Sequence, residues 1–356
     1  MDKTKQLPII KRILYIAVFL AGFCALFYGA QNVLRNQWAR SEDEYYANLQ
    51  YEQEPEDSID VLFFGTSEMH NSISPMAIYR DTGITSWNFA GSWSSSLTDY
   101  YMLQYALKHQ HPKVVVCDFA ALFKEETSEN AYWRAYDNMP DREIARAMAE
   151  EIVRWEPDQD KLEFRFPLLH YHSMWSSLRV SQFLPRGVSD GYHSFFKGAY
   201  LVDQDYNDHL SKVDESLWHS GSNIESVPEI NEYYYGKFIE LCRDNNCHVL
   251  VYYATAPGEG YLAAASRAKA YEFLQTRGVL TYDFNNYQSY QELGLVLHTD
   301  YFDETHVNIY GAEKLSEAMA DALNNDYYEL PDHRGEYAVW DLEAEKYQQW
   351  VDSLQR

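Results

Sequence analysis

Residues 61–67 read VLFFGTS, an apolar run that stops at a glycine and continues with two hydroxyl side chains. A continuous apolar run predicts a strand of a parallel sheet, because helices cover both faces of such a sheet. Side chains that bind or react lie just beyond the carboxyl end of such a strand, and Ser67 stands there. Ser67 is therefore a candidate nucleophile, although serine is also a favoured helix N-cap.

Strand-like runs recur along the chain with helical patterns between them. Strands are predicted at 61–65, 86–90, 113–119, 248–255 and 280–284. Helices are predicted at 75–80, 97–109, 230–246, 261–276 and 309–323. This alternation is typical of a parallel sheet covered by helices on both faces. We therefore predict one α/β domain over residues 59–325, a three-layer α/β/α sandwich with a central parallel sheet.

The alternation breaks between about residues 123 and 228, a stretch rich in aromatic side chains and too long for a plain loop. Ile144, Met148 and Ile152 recur at four-residue spacing within 141–155, which indicates a helix with one apolar face. We predict a largely helical insertion that forms a subdomain or a lid over the site.

Two side chains of this insertion, His172 and Trp175, are candidate substrate contacts. Their alternative role is packing within a lid. His170 and His172 form a pair, but no third ligand of suitable spacing accompanies them, so no metal site is predicted.

Residues 13–30 carry no charge and follow four basic side chains, Lys3, Lys5, Lys11 and Arg12. This pattern predicts one membrane-spanning helix within 1–34, with a cytoplasmic amino terminus and an extracytoplasmic body. A cleaved signal peptide is the alternative, since it shares the basic start and the apolar core. Residues 35–58 are predicted to be an acidic linker. Residues 326–356 are predicted to be an acidic C-terminal tail in which 343–354 could form a packed helix.

The 356 residues carry a formal net charge of −25. Such a charge argues against binding to nucleic acid, or to an anionic membrane surface, through broad electrostatics. The four cysteines have neither C-x-x-C nor zinc-site spacing, so the sequence predicts no disulfide scaffold.

A second informative stretch, residues 300–315, reads DYFDETHVNIYGAEKL. Asp303 and His306 stand three residues apart just before a predicted helix. This spacing lets the carboxylate hold the imidazole Nδ1 and leaves Nε2 free as a general base. The Ser67 hydroxyl needs such a base, because it is a weak nucleophile at its own pKa. Alternatively, Asp303 caps a turn and His306 is a surface or core residue.

Together, the two stretches resemble the SGNH (GDSL-like) hydrolase superfamily. Residues 65–67, GTS, match its Gly-x-Ser block, which supplies the nucleophile. Asp303 and His306 match its Asp-x-x-His block, and Asn308 and Gly311 match the helix start that follows. The resemblance implies a serine hydrolase in which the aspartate orients the histidine.

The resemblance also implies an oxyanion hole. Its second block corresponds to residues 88–92, NFAGS, so the backbone N–H groups of Ser67 and Gly91 are candidate donors. The third block, Gly-x-Asn-Asp, is absent, and the corresponding strand end carries Asp118, whose charge would oppose an oxyanion. Asn88 or Asn71 could supply the missing donor.

The membrane helix, the GTSxxH block and the large insertion are similar to those of the envelope-facing subgroup that includes the DltD-like teichoic-acid D-alanylation proteins. The alginate acetylation proteins are more distant relatives. This resemblance implies a membrane-anchored, extracytoplasmic serine esterase or O-acyltransferase that acts on cell-envelope polysaccharide or teichoic acid beside a membrane-bound O-acyltransferase. No cofactor is implied.

His70, three residues after Ser67, and Thr255, at a strand end, complete the candidate substrate contacts. Packing behind the site is the alternative role for His70. The alternative function is a catalytically degenerate scaffold on the same fold that binds glycopolymer or an acyltransferase partner.

Overall fold

The computed structural model describes residues 9–41, 43–92, 94–123, 129–183, 192–206, 213–219, 227–257, 264–325 and 327–354. Its strands form one sheet: β1 (Val61–Phe64), β2 (Ser86–Asn88), β3 (Val114–Asp118), β4 (His248–Tyr253) and β5 (Leu280–Asp283). The strand order is β2-β1-β3-β4-β5, and every neighbouring pair is parallel. The predicted parallel sheet is confirmed, with each strand one or two residues shorter than predicted.

Helices connect and flank the strands. In the described ranges they are α1 (Ile9–Ser41), α2 (Asp43–Tyr51), α3 (Ser67–Ser72), α4 (Pro75–Thr82), α5 (Ser96–Ala106), α6 (Glu129–Asn138), α7 (Arg142–Trp155), α8 (Lys161–Arg165), α9 (Pro167–Tyr171), α10 (Glu229–Asp244), α11 (Ala264–Thr276), α12 (Tyr287–Glu292), α13 (Leu297–Asp300), α14 (Ile309–Leu323) and α15 (Ala338–Leu354). Short 3-10 helices are formed by Ala120–Leu122, His172–Ser177, Val180–Phe183, Ser194–Phe196 and Glu215–His219.

The first strand shows why the sheet lies between two helical layers. Val61 and Phe63 belong to the apolar cluster that contains Met319 of α14, whereas Leu62 and Phe64 belong to the cluster on the opposite face, with side chains of α5 and α10. All four strand residues are at most 1% exposed. Burial of each large apolar side chain stabilises the fold by about 1.5–3 kcal/mol, which explains the unbroken apolar run in the sequence.

The predicted linker is not a plain connection. Its residues form the end of α1 and then α2, which packs on the body. Tyr51 is fully buried, donates a hydrogen bond to the Ala106 carbonyl (3.0 Å) and packs edge-on against the Trp87 and Phe89 rings. The prediction followed the seven acidic side chains among the 24 residues of the segment, whereas an aromatic side chain supplies these buried contacts. The domain bounds themselves stay predictions.

The insertion is helical over much of its described length. Asp141 caps α7 by accepting hydrogen bonds from the backbone N–H groups of Glu143 and Ile144. Met148 and Ile152 are buried with Ile144 on the predicted apolar face. Farther along the chain, the acidic tail contains α15, which packs on α4.

The amino-terminal helix carries the candidate membrane span. Ile9–Leu34 of α1, 26 residues, is long and apolar enough to cross a membrane by length and composition. Its side chains are exposed from Ile9 to Leu26, and Leu34 is buried against the body.

Candidate active site

The turn after β1 requires a glycine. Gly65 has φ +156°, and a Cβ atom there would lie 2.2 Å from the Asp118 Cβ. The Thr66 N–H donates a hydrogen bond to Asp118 Oδ2 (3.1 Å), which ties the turn to the end of β3. Ser67 follows as the first residue of α3. The apolar strand, the glycine and the serine together therefore place a hydroxyl at the carboxyl edge of the sheet.

Ser67, His306 and Asp303 form a hydrogen-bonded chain. The Ser67 Oγ lies 2.8 Å from His306 Nε2, and the His306 Nδ1 lies 2.8 Å from Asp303 Oδ2. A carboxylate only accepts, so Nδ1 carries the proton and Nε2 accepts from the serine hydroxyl. The structure thus brings Ser67 together with His306 and Asp303, which lie 239 and 236 residues farther along the chain. The three side chains have the geometry of nucleophile, base and orienting acid.

The loop before α14 stabilises the ionised form of Asp303. The Asp303 Oδ1 accepts hydrogen bonds from the backbone N–H groups of Thr305 (2.8 Å) and His306 (2.7 Å). Burial opposes ionisation, but the His306 side chain and these amides lower the pKa of Asp303 to about 2. The Phe302 ring stacks on the imidazole, with centroids 5.5 Å apart. The His306 imidazole is therefore held by Phe302 on its face and by Asp303 at its Nδ1 atom.

The two other residues of the second sequence block form the start of α14. Asn308 caps the helix by accepting from the backbone N–H groups of Tyr310 (2.9 Å) and Gly311 (3.3 Å). A Cβ atom on Gly311 would lie 2.3 Å from the Asp300 carbonyl oxygen. Asn308 and Gly311 therefore act through backbone geometry, which sets the position of the loop that carries His306.

A cleft of about 460 Å³ opens over this triad. Its walls include the triad itself and two further predicted residues, His70 and Asn71. The remaining described lining residues are Asp43, Glu44, Ser92, Arg134, Tyr200 and Phe302. The sequence analysis thus missed six wall residues, which come from α2, from the insertion, and from the loops after β2 and before α14.

His70 is a neutral wall residue. Its Nε2 donates to the Gly198 carbonyl (3.0 Å), and the side chain is 6% exposed. Burial lowers the pKa of His70 to about 4, so the ring is uncharged at neutral pH. The backbone beside it is fixed as well, because the Tyr200 N–H donates to the His70 carbonyl (3.0 Å).

Three of the predicted oxyanion donors are hydrogen-bonded elsewhere. The Gly91 N–H donates to the Gly65 carbonyl (3.0 Å), and the Asn71 amide donates to the Tyr200 carbonyl (2.9 Å). The Asn88 amide donates to the carbonyls of Met69 (3.2 Å) and Ile73 (3.1 Å). In this structure these groups support the turn and α3. The Ser67 N–H, in the first turn of α3, has no acceptor within that helix.

The Glu44 carboxylate of α2 binds a further backbone N–H group at the site, that of Ser92. Glu44 Oε1 accepts from the Ser92 N–H (3.2 Å) and forms an ion pair with Arg134 (2.6 Å). Its Oε2 accepts from the Asn138 amide (2.9 Å). Burial opposes ionisation, but Arg134 lowers the pKa of Glu44. No motif marks Glu44 or Arg134 in the sequence, because one lies in the supposed linker and the other in the insertion.

Asp118 does not belong to the described walls of the cleft. It is 1% exposed and lies behind the nucleophile turn, where its carboxyl group and that of Glu68 both hydrogen-bond to the Thr66 hydroxyl. Burial, with Glu68 nearby, raises the pKa of Asp118 to about 6. Its position supports the turn, and it does not face the space above Ser67.

The other predicted contacts lie away from the described walls of the cleft. Thr255 is buried after β4, and its carbonyl accepts from the Tyr301 hydroxyl (3.4 Å). The glycine-containing stretch after Thr255, residues 258–260, lies outside the described residues. His172 and Trp175 are exposed in the 3-10 helix His172–Ser177, which contacts α1. His170, the other histidine of the pair with His172, stacks on Trp133 with centroids 4.0 Å apart.

The sequence matches no protein-family profile and none of the curated proteins. Among solved structures, a candidate acylhydrolase from Bacteroides fragilis is 11% identical, with a TM-score of 0.35 over 78% of this chain and 94% of its own. A catalytic mutant of an acetylxylan esterase from Geobacillus stearothermophilus is 10% identical, with a TM-score of 0.36 over 76% of this chain and 97% of its own. A gut microbial diltiazem-metabolizing enzyme is 12% identical, with a TM-score of 0.26 over 76% of this chain and 48% of its own.

These similarities are too weak to assign an activity. The fold class rests on the five-stranded parallel sheet itself. The chemistry rests on the Ser67, His306 and Asp303 geometry, which is an arrangement suited to acyl transfer through a serine ester.

Proposed function

We propose that this protein is a membrane-anchored, extracytoplasmic serine esterase or O-acyltransferase that acts on a cell-envelope polysaccharide or teichoic acid. The observation that carries the proposal is the 2.8 Å contact between the Ser67 Oγ and His306 Nε2, with Asp303 at 2.8 Å from Nδ1. The resemblance to the DltD-like subgroup of SGNH proteins supplies the substrate class.

In the proposed mechanism, the Ser67 Oγ attacks an acyl carbonyl while His306 Nε2 takes the hydroxyl proton. Asp303 stays ionised and stabilises the imidazolium. The tetrahedral intermediate collapses to an acyl-serine ester, and the departing alcohol takes the proton from His306. Water or an acceptor hydroxyl then attacks the ester, with His306 again moving the proton. Hydrolysis and transfer therefore differ only in the second nucleophile.

The position of the cleft supports a substrate near the membrane. Asp43 and Glu44, which line the cleft, lie just past the carboxyl end of α1. At a rise of about 1.5 Å per residue, the eleven residues from Ala30 to Ser41, where α1 ends, correspond to roughly 17 Å. Leu34 is buried against the body, which favours a retained anchor over a cleaved signal peptide.

A fluorophosphonate probe tests the nucleophile. Full-length protein in detergent should be labelled, Ser67→Ala should lose the label, and Ser353→Ala in α15 should keep it. Equal labelling of all three proteins, or of none, would refute the enzyme assignment. A circular dichroism spectrum of each variant checks that the fold is kept.

A second candidate function is a non-catalytic scaffold that binds glycopolymer or a membrane-bound O-acyltransferase partner. The observation in its favour is that Gly91, Asn88 and Asn71 donate their hydrogen bonds to protein carbonyls. Loss of one oxyanion donor typically costs about 2.7–4 kcal/mol of transition-state stabilisation. The scaffold predicts binding of the glycopolymer that is equal for the native chain and Ser67→Ala, without probe labelling of either.

A further inference from the structure

One short part of the insertion exposes an unusual number of apolar side chains. In the described chain, residues 162–183, here called the 162–183 segment, expose Leu162, Phe166, Leu169, Trp175, Leu178, Val180 and Phe183. The segment thus exposes seven large apolar side chains, and all other described residues outside α1 together expose seven. Large apolar side chains exposed in such number on one segment mark a site of contact with a protein or a membrane.

This segment lies beside the candidate membrane helix. The α9 helix and the two 3-10 helices that follow it contact α1. The Phe166 ring meets the Phe27 ring edge-on, with centroids 6.0 Å apart. Phe27 stands three residues before Ala30, the last residue of the apolar run before Gln31 and Asn32, so it lies about 5 Å inside that end along the helix axis. Phe166 is therefore at the level where the apolar part of α1 stops.

The charge of the segment differs from that of the whole chain. Arg165 and Arg179 stand against a single acidic residue, Glu163, although the chain carries −25 overall. Basic side chains beside an apolar surface favour the anionic headgroups of a bilayer. This local excess is compatible with the acidic composition of the whole chain, because charge–charge attraction falls off within a Debye length.

We propose that the 162–183 segment inserts into the outer leaflet beside α1, so that the protein has a second, shallow membrane contact. The proposal rests on the membrane anchoring proposed above. Trp175, 71% exposed, fits the aromatic belt at a membrane interface, where its ring is partly apolar and its N–H remains hydrated. A leaflet contact at this place would fix the rotation of the body about α1 and thereby the direction in which the Ser67 cleft opens.

The test uses an environment-sensitive fluorophore on single cysteines. The full-length protein first receives Cys24→Ala, since Cys24 is exposed and the other three cysteines are buried. Val180→Cys (80% exposed) reports on the segment, and Val339→Cys in α15 (64% exposed) is the matched valine control. Leu20→Cys reports on α1. Leu169→Cys provides a second position in the 162–183 segment.

The labelled proteins are placed in vesicles of phosphatidylcholine and phosphatidylglycerol, with and without nitroxide-bearing lipids. Iodide serves as the aqueous quencher. An interfacial element lies about 5–10 Å into the headgroup and acyl boundary, within reach of shallow nitroxides. We expect nitroxide lipids to quench the labels at Val180 and Leu169 by about twofold or more, and iodide to quench Val339 instead.

Each outcome decides the proposal. Quenching at Leu20 with aqueous behaviour at Val180 and Leu169 would overturn the leaflet contact while leaving the α1 anchor intact. Aqueous behaviour at all positions would overturn the anchor as well. Protection of Val180 from both quenchers would show that a second copy of the chain covers the segment, and would also overturn the proposal.

Discussion

Replacement of Gly65 by alanine should destabilise the protein and impair the candidate nucleophile together. The added Cβ would lie 2.2 Å from the Asp118 Cβ, whereas ordinary contacts are 3.4–4 Å. Neither side yields easily, because β1 and β3 are adjacent strands with Phe64 paired to Cys117. Asp118 is further held by the N–H groups of Thr66 (3.1 Å) and Ala120 (2.9 Å).

The expected cost has two parts. Overpacking of a close-packed site costs about 1–3 kcal/mol, and an unfavourable φ costs about 1–3 kcal/mol. For 356 residues, an unfolding entropy of about 2.1 cal/mol/K per residue converts the sum of about 2–6 kcal/mol into a thermal midpoint lower by about 3–8 °C. Fluorophosphonate labelling of Ser67 should slow as well, since the turn that positions its hydroxyl must shift.

Two other glycines separate these causes. Gly294 has φ +60° with no atom within 4 Å of an added Cβ. Gly294→Ala therefore measures the free-energy cost of a positive φ without a steric clash. Gly236 lies within α10 with the same open space, so Gly236→Ala should stabilise the helix by about 0.5–1 kcal/mol. Thermal unfolding in detergent, followed by circular dichroism, ranks the three variants. A Gly65→Ala protein that melts and labels like Gly236→Ala would refute the close contact between Gly65 and Asp118.

Three more perturbations test the site. Asp303→Asn should slow probe labelling by about a thousandfold or more, because the imidazole loses the partner that fixes its tautomer; an unchanged rate would exclude that role. Asp118→Asn should flatten the pH dependence of the thermal midpoint. Folding raises the pKa of Asp118 from 3.8 to about 6, so its contribution is fully present below pH 3.8 and is lost as pH rises through 6. The loss amounts to up to ~3 kcal/mol, and equal slopes for the native and Asn chains would contradict it. Arg134→Met should lower stability by about 1–3 kcal/mol, because the part-buried Glu44 carboxylate loses its cation, and adding Glu44→Gln should recover part of this in the same melting assay.

Local patterns predicted the sheet well. The apolar runs gave five strands within two residues of their bounds, because strands buried on both faces need apolar residues at every position. The helical pattern over 309–323 predicted α14 with its observed bounds, because Asn308 caps the start of the helix. Bounds were less accurate for α5, where Ser95 caps the helix before the predicted start.

The linker shows where composition misled. Residues 35–58 carry seven acidic side chains and are predicted to be a linker, yet Tyr51 is fully buried and Glu44 lines the cleft. Composition averages over a segment, whereas burial is decided side chain by side chain. In the aromatic insertion, Trp175 was a candidate substrate contact. It lies exposed on the 3-10 helix His172–Ser177, which contacts α1.

The sequence by itself determined the strand–glycine–serine turn, the Asp303 and His306 spacing, and the apolar amino-terminal run, because each depends on residues close together in the chain. Only the tertiary structure decided that the Ser67 hydroxyl meets His306 at 2.8 Å, that Gly91 donates to Gly65, and that Glu44 with Arg134 completes the cleft wall. These contacts join distant segments, and their geometry follows from how the sheet, the insertion and α2 pack together. Backbone donors in particular carry no mark in the sequence, since every residue except proline has an N–H group.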